Sequence, residues 1–313
     1  MEKFDVLAIG ELNVDLIVTG LKSIPVLGQE IIADDCSLTL GSSTAICASG
    51  ISRLGFKTGF IGKIGNDIFG DVVLRELKMN GVETGYIIID KKVNTGITIS
   101  LSMENDRAFI TYMGSIDTLT FKDIDLKLLE CTRHIHVGSY FLQNRLRADI
   151  IRLFALAREI GVTTSLDAGW DDSQQWDHGI FDTLKYTDIF LPNEVEALNL
   201  TKSKNVFEAL NALSNYARIV VIKCGSKGAI GKWRNEVAEQ GTFDVKPVDT
   251  TGAGDSFNAG FIYGFLNDYE LGKCMKYGNA CGSICVTRIG GASSCATLVE
   301  VEEMINKSRG QVP

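Results

Sequence analysis

Val248-Asp249-Thr250-Thr251-Gly252-Ala253-Gly254-Asp255-Ser256-Phe257-Asn258-Ala259-Gly260-Phe261 is the stretch that decides the fold. Three small residues, Gly252, Ala253 and Gly254, run into a segment where Phe257, Phe261, Ile262, Phe265 and Leu266 recur at the spacing of an amphipathic helix. A small-residue turn that opens a helix presents backbone N–H groups no helical carbonyl can accept. Together with the positive end of the helix dipole, those donors form a seat for an anion such as phosphate. Asp255 adds a carboxylate in the first helical turn, and an anion cradle beside an acid points to phosphoryl transfer onto a hydroxyl.

Outward from this turn, short apolar runs alternate with helical patterns, the signature of a parallel sheet covered by helices. Strands are expected at residues 4–9, 60–64, 135–137, 163–167, 189–191 and 219–223. Helices are expected at 43–53, 71–80, 150–160, 195–200 and 275–286. Two segments break the rhythm. Residues 13–35 carry no helical pattern. Residues 94–112 alternate through Ile97, Ile99 and Leu101, turn at Glu104-Asn105-Asp106, and return through Ala108–Tyr112, which is hairpin grammar. The expected organisation is therefore one α/β domain (residues 1–12, 36–93 and 113–313), a doubly wound, mostly parallel sheet flanked by helices, with a small β lid (13–35 and 94–112). Two edge hairpins without a function are the plain alternative for those segments.

The chain has 313 residues, is 45% apolar and carries a net charge of −8. No run of Lys or Arg is present, which argues against nucleic acid and anionic membrane as partners. No apolar stretch reaches the length of a spanning helix, and the N-terminus lacks a signal-peptide layout, so a cytoplasmic location is expected. Eight cysteines include no Cys-x-x-Cys pair; Cys281 and Cys285 are expected to be small buried residues. His134 and His136 share one face of a strand, with no third metal ligand in view, so structural or substrate-edge roles are expected.

The chain resembles the ribokinase family of carbohydrate kinases, also called the PfkB family. Residues 249–257 carry the resemblance most specifically. Four further elements follow in family order: Gly10-Glu11-Leu12-Asn13-Val14-Asp15, the stretch from Gly41 to Gly70, Pro192-Asn193-Glu194-Val195-Glu196, and Lys223-Cys224-Gly225-Ser226-Lys227-Gly228. The resemblance implies phosphorylation of a sugar-like hydroxyl by ATP with Mg²⁺, often with K⁺ activation, under a closing β lid. Asp255 is then the base, with capping of its own helix as the alternative, and Gly252, Ala253 and Gly254 supply the anion hole.

The remaining assignments follow from the same resemblance. Asn193, Lys223, Gly225, Ser226, Gly228 and Asn279 fall at nucleotide positions, Asn193 also being an ordinary helix cap. Glu194 takes Mg²⁺ through water. Asp249, Thr251, Cys285, Arg288, Gly290 and Ser294 match a K⁺ site built mostly of backbone oxygens. For the acceptor, Asn13 and Asp15 lie on one face of an extended strand, and Gly41 and Ser42 open the next loop. Here the chain departs from the family, which has a second glycine where Ser42 stands and an Asn where Ile46 stands. A pocket with Ile46 suits a less polar acceptor than ribose. A nucleoside kinase is the alternative within the class, and a silent nucleotide-binding regulator the alternative outside it. Arg107 and Tyr112 are lid residues within possible reach of the acceptor. Trp170 and Trp176 are expected to stabilise a long loop. Apolar alternation in the lid also suits a lid-to-lid homodimer.

Overall fold

The computed structural model describes residues 3–103 and 107–309. The turn expected at Glu104–Asp106 lies outside them. In chain order, β1 (Phe4–Ile9) leads into β2 (Asn13–Thr19) and β3 (Asp35–Leu40). Next come α1 (Ser43–Arg53), β4 (Thr58–Gly65), α2 (Ile68–Met79) and β5 (Ile87–Asp90), and then the hairpin β6 (Gly96–Ser102) and β7 (Arg107–Tyr112). After it come β8 (Thr132–Val137), α3 (Arg147–Glu159), β9 (Thr163–Leu166), α4 (Ile180–Leu184), β10 (Ile189–Phe190), α5 (Glu194–Thr201) and α6 (Val206–Leu213). The chain closes with β11 (Ile219–Lys223), β12 (Ala229–Trp233), β13 (Glu236–Gln240), α7 (Ala253–Leu266), α8 (Leu271–Cys285) and α9 (Leu298–Arg309).

Nine strands form the large sheet in the order β13-β12-β11-β10-β9-β8-β1-β4-β5. It is parallel except for the β11-β12-β13 meander at one edge. Parallel strands covered on both faces read as continuous apolar runs, and β1 shows why. Leu7 and Ile9 join a cluster with Ile150, Leu153 and Phe154 of α3, while Val6 packs with Ile51 of α1 and with Ala259 and Ile262 of α7. The α7 segment, amphipathic by spacing, is buried continuously from Ser256 to Gly264, because α1 and α8 cover what the sheet does not. None of the described helices is long and apolar enough to cross a membrane.

The second sheet runs β3-β2-β6-β7. All of its β3 but Asp35 falls within residues 36–93, which the sequence assigned to the main domain. After the reversal at residues 20–34, Cys36, Leu38 and Leu40 pair with Val18, Leu16 and Val14, so the small sheet takes in residues 36–40 as well. Register makes this sheet two-faced. Leu38, Leu16, Ile99 and Ile110 lie in one cross-strand row, and Leu40, Val14, Ile97 and Tyr112 in the next. On the other face stand Asn13, Asp15, Thr39, Thr98 and Thr111.

Candidate active site

The site lies where the carboxyl ends of β1, β9, β10 and β11 meet the N-terminus of α7, as expected of an open α/β sheet. Gly252 is the N-cap of α7 with φ +74°, a left-handed conformation that favours glycine. Gly254 and Ala253 line a cavity of about 600 Å³ together with Lys223, Gly225, Ser226, Gly228 and Asn279. Phe243, Val245, Pro247, Phe257 and Val286 give the cavity an apolar side. All seven of the small or polar residues just named as cavity lining are ones the sequence assigns to nucleotide or phosphate. Asn279 also has a structural duty, since its Nδ2 donates to the carbonyls of Gln240 (2.9 Å) and Gly241 (3.1 Å).

Behind the turn sits a buried charge cluster that the sequence did not reveal. Asp167 Oδ2, at the end of β9, accepts from Lys223 Nζ (2.7 Å) and from Asn258 Nδ2 (2.7 Å). Lys223 Nζ also donates to Asn258 Oδ1 (3.1 Å). A Cβ built on Gly254 would stand 3.5 Å from Lys223 Nζ, so the ammonium lies against the anion-seat turn. Burial pushes the Asp167 carboxyl up, but the Lys223 charge together with the hydrogen bonds from Lys223 and Asn258 outweighs it and holds the acid low. Burial also works against the Lys223 ammonium, and Asp167 and Glu196 outweigh that.

Asp255 lies in the field of the same group. Burial first, and then the Asp167 charge, raise its carboxyl to about 7. A helix N-terminus alone would have lowered it; loss of water and a like charge prevail. An acid poised near neutrality suits general-base work. The neighbouring Ser43 hydroxyl opposes the shift.

The carboxylate expected at Mg²⁺ stands apart from the buried cluster. Glu194, about a third exposed, is 4.0 Å from Lys227. Glu196, one helical turn in from Asn193, is the buried one. Its carboxylate accepts from the Asn193 N–H (2.9 Å) and Nδ2 (2.8 Å), while Asn193 Oδ1 accepts from the Glu196 N–H (2.9 Å). This is a capping box, and an acid three residues after the cap is its sequence signal. Burial and then Asp167 raise the Glu196 carboxyl well above its ordinary range. Three carboxylates around one ammonium leave the pocket short of positive charge.

At the acceptor end the expected residues do converge. Asn13 Nδ2 donates to Asp15 Oδ1 (2.9 Å) and lies 3.5 Å from Thr98 Oγ1, which is 3.1 Å from Thr111 Oγ1. Burial raises the Asp15 carboxyl to about 6. A Cβ on Gly41 would overlap both Asp15 Oδ1 and Asn13 Nδ2, so glycine is required there by close approach. Thr98 and Thr111 were missed, although the alternation that marked Ile97 and Ile99 already set Thr98 on the opposite face.

Two expectations at this end are corrected. Ser42 does not offer its hydroxyl to a ligand. It takes a left-handed φ of +69° as N-cap of α1, accepts from the Ala45 N–H (2.9 Å) and donates to the Glu11 carbonyl (2.7 Å). Ile46 is buried beneath the turn, against Gly252 and Gly291, where it supports the anion seat from below. The side chain of Arg107 lies outside the described residues, and Tyr112 is half exposed on the apolar face of the small sheet.

The suggested K⁺ residues are drawn together in part. Asp249 accepts from the Thr251 and Gly290 N–H groups (both 2.9 Å), and Cys285 Sγ donates to the Thr251 carbonyl (3.4 Å). Ser294 Oγ instead donates to the Ile289 carbonyl (3.0 Å), and Arg288 pairs with Glu300. The two histidines are structural. Both rings bond Ser165 Oγ at 2.8 Å, and His134 also bonds Thr163 Oγ1. Burial keeps both rings neutral, lowering His134 to about 3 and His136 to about 4. Among the described residues no three His, Cys, Asp or Glu side chains form a metal-binding group. Cys281 and Cys285 are buried thiols. Trp170 and Trp176 stack edge to face within the loop after β9, which Asp171 ties by accepting from the Trp176 N–H (2.7 Å).

Residues 3–298 match the model of the pfkB family carbohydrate kinases. A 5-dehydro-2-deoxygluconokinase from Geobacillus kaustophilus is 29% identical over 86% of this chain and 85% of its own. Fructokinase-2 from Zea mays is likewise 29% identical, over 86% and 85%. A candidate ribokinase II from E. coli, solved in complex with ATP and Mg²⁺, superposes with a TM-score of 0.86 at 25% identity, covering 98% of this chain and 100% of that one.

Proposed function

The chain belongs to the pfkB family of carbohydrate kinases, which makes it an ATP-dependent sugar kinase, and from that premise we propose that its acceptor is a neutral sugar. Asp255 takes the proton of the attacking hydroxyl. The new O–P bond forms in line as the bond from the γ-phosphorus to the β–γ bridging oxygen breaks, and ADP leaves. The Gly252, Ala253 and Gly254 N–H groups hold the charge that builds on the transferred phosphate, with each such donor contributing on the order of 3 kcal/mol in analogous sites. Lys223, against that turn, adds a cation. The observation that carries this reading is Asp255 itself: it follows directly on a cavity-lining glycine, touches the Ser43 loop of the acceptor end, and has a carboxyl poised near pH 7.

The shortage of positive charge around Glu196, Asp167 and Asp255 suits a divalent ion. Glu196 and Asn193 would hold Mg²⁺ through water, since that ion keeps much of its hydration shell. Bound with ATP, it neutralises phosphate charge. A monovalent cation between residues 249–251 and 285–290 would order the same turn through Asp249; omitting K⁺ from the assay tests this.

A neutral acceptor is favoured by the polar face of the small sheet, where Asn13, Asp15, Thr98 and Thr111 supply amide, carboxylate and hydroxyl groups. A sugar acid or phosphosugar calls for paired cations. Assays with coupled ADP detection on D-fructose, D-ribose, 5-dehydro-2-deoxygluconate and adenosine decide the matter: turnover is expected on a neutral sugar, and a preference for the keto acid or adenosine overturns the choice. The opposite, apolar face, with Leu38, Ile110 and Tyr112 exposed, would be covered by a second copy of the chain. Light scattering on the wild type and on Ile110→Glu tests that, with loss of a dimer expected in the variant.

A further inference from the structure

We propose that Glu11 is a positioning residue for the acceptor end, a buried clamp that locks the loop Ser42-Ser43-Thr44 against the start of β2. Glu11 is 3% exposed. Its Oε1 accepts from the Thr44 N–H (3.2 Å) and stands 3.1 Å from Ser42 Oγ, and its Oε2 accepts from Thr44 Oγ1 (2.6 Å). The slot that holds this contact is tight: a Cβ on Gly10, at the end of β1, or on Gly138, after β8, would come within 2.5 Å of Thr44 Oγ1. No described Lys, Arg or His pairs with the carboxylate, so donors on the loop are what compensate its burial.

The position of the clamp in the chain gives it its effect. Two residues after Glu11 comes Asn13, then Asp15. One residue before Ser42 is Gly41, against which both of those side chains pack. Between the two clamped residues is Ser43, whose hydroxyl neighbours Asp255 and favours its ionised form. Glu11 thus ties both acceptor segments to each other and to the base. It also accounts for Ser42 in a left-handed conformation where the family has glycine: the Ser42 hydroxyl joins the Glu11 carbonyl to the Ala45 N–H, offsetting the roughly 1 kcal/mol strain of that φ. The nucleotide cavity contains no contact with Glu11.

The inference is independent of which sugar is used but reads out through the kinase activity, with D-fructose as the probe. Glu11→Ala is expected to raise the KM for D-fructose at least 10-fold and leave the KM for ATP within 2-fold. Glu11→Gln, which keeps the shape and one acceptor oxygen, should recover most of the loss. If Glu11→Ala does not fold, Thr44→Val carries the test, with a smaller rise in the same KM alone. An unchanged D-fructose KM, or both KM values rising together, overturns the proposal. Hydrogen exchange in the ligand-free protein gives a second arm. The Thr44 and Ala45 amides should exchange at least 10-fold faster in Glu11→Ala or Thr44→Val, and unchanged protection overturns the clamp. If the wild type fails to use D-fructose, the acceptor reading falls and the exchange arm still decides on Glu11.

Discussion

Asp167 and Glu11 are both buried carboxylates at the carboxyl edge of one sheet, and they are satisfied in opposite ways. Asp167 has an ammonium at 2.7 Å and is held low. Glu11 has hydroxyls and an amide and is pushed up by burial. Each solution fits its neighbourhood. The nucleotide end must receive an anion, so it keeps a cation whose field extends past its partner to the glycine turn. The acceptor end must hold uncharged hydroxyls, and a lysine there would compete for the oxygens that Asn13 and Asp15 present. Ion pairing therefore belongs to the phosphate side, and neutral hydrogen bonding to the sugar side.

The largest effect that tests this division is at their junction. Asp255→Asn removes the base and should lower kcat by about 10²–10⁴, with ATP binding retained; near-normal turnover would detach Asp255 from the chemistry. Next comes the ion pair. Lys223→Met strands Asp167 without its cation and should destabilise the protein by about 3–5 kcal/mol in denaturant titration. Adding Asp167→Asn should restore a good part of that, because the stranded charge goes with it. A Lys223→Met loss no greater than that of Glu11→Gln would break the contrast, since Glu11 has no counter-ion to strand.

What was legible in the sequence depended on separation along the chain. The Gly252–Asp255 turn is contiguous, and helix capping and anion binding act within one turn, so residue types alone defined it. Asn13, Asp15 and Gly41 were legible because strand alternation and one glycine restrict geometry strongly. Lys223 and Asp167 are 56 residues apart and Asn258 is 91 from Asp167; their meeting is a product of strand order, which no local pattern encodes. Glu196 is a different case. Its capping-box spacing to Asn193 was present in the sequence, but Glu194, directly after Asn193, drew the assignment through the family resemblance. Burial decides between the two, and burial is tertiary. Ile46 teaches the same point from the apolar side: at a position where the family touches sugar, its side chain turned under Gly252 instead.

Gly41 gives a smaller and more local test. Gly41→Ala places a methyl into the space of Asp15 Oδ1 and Asn13 Nδ2. Those two side chains must move apart, and the acceptor KM should rise roughly 10-fold, the equivalent of about 1.4 kcal/mol, with the ATP KM unchanged. Equal shifts in both constants would mean that the two ends are mechanically one unit, and the separation drawn above would have to be given up.

The smallest effect concerns stability against pH. In the fold the Asp255 carboxyl titrates near 7, whereas an unfolded Asp titrates near 3.9. Between those values the folded state binds more protons than the unfolded one, so this group lowers stability steadily as pH rises, and its contribution is constant above about 7. Asn cannot ionise. The Tm of ligand-free Asp255→Asn should therefore match the wild type near pH 3–4 and exceed it by a margin that grows up to about pH 7, reaching several degrees at pH 8, given that ~1 kcal/mol moves the Tm of a large domain by about 2–4 °C. Glu196→Gln should behave similarly, since its carboxyl is raised by burial and by the same Asp167 charge. Glu11→Gln enters the same comparison from the other end: its Tm difference should reflect the lost hydroxyl contacts at every pH as well as a gain that grows with pH, because burial raises the Glu11 carboxyl. A pH-independent gap for Asp255→Asn would mean that Lys223 already neutralises the cluster, and that Asp255 is ionised well below the pH at which the enzyme would need it as a base.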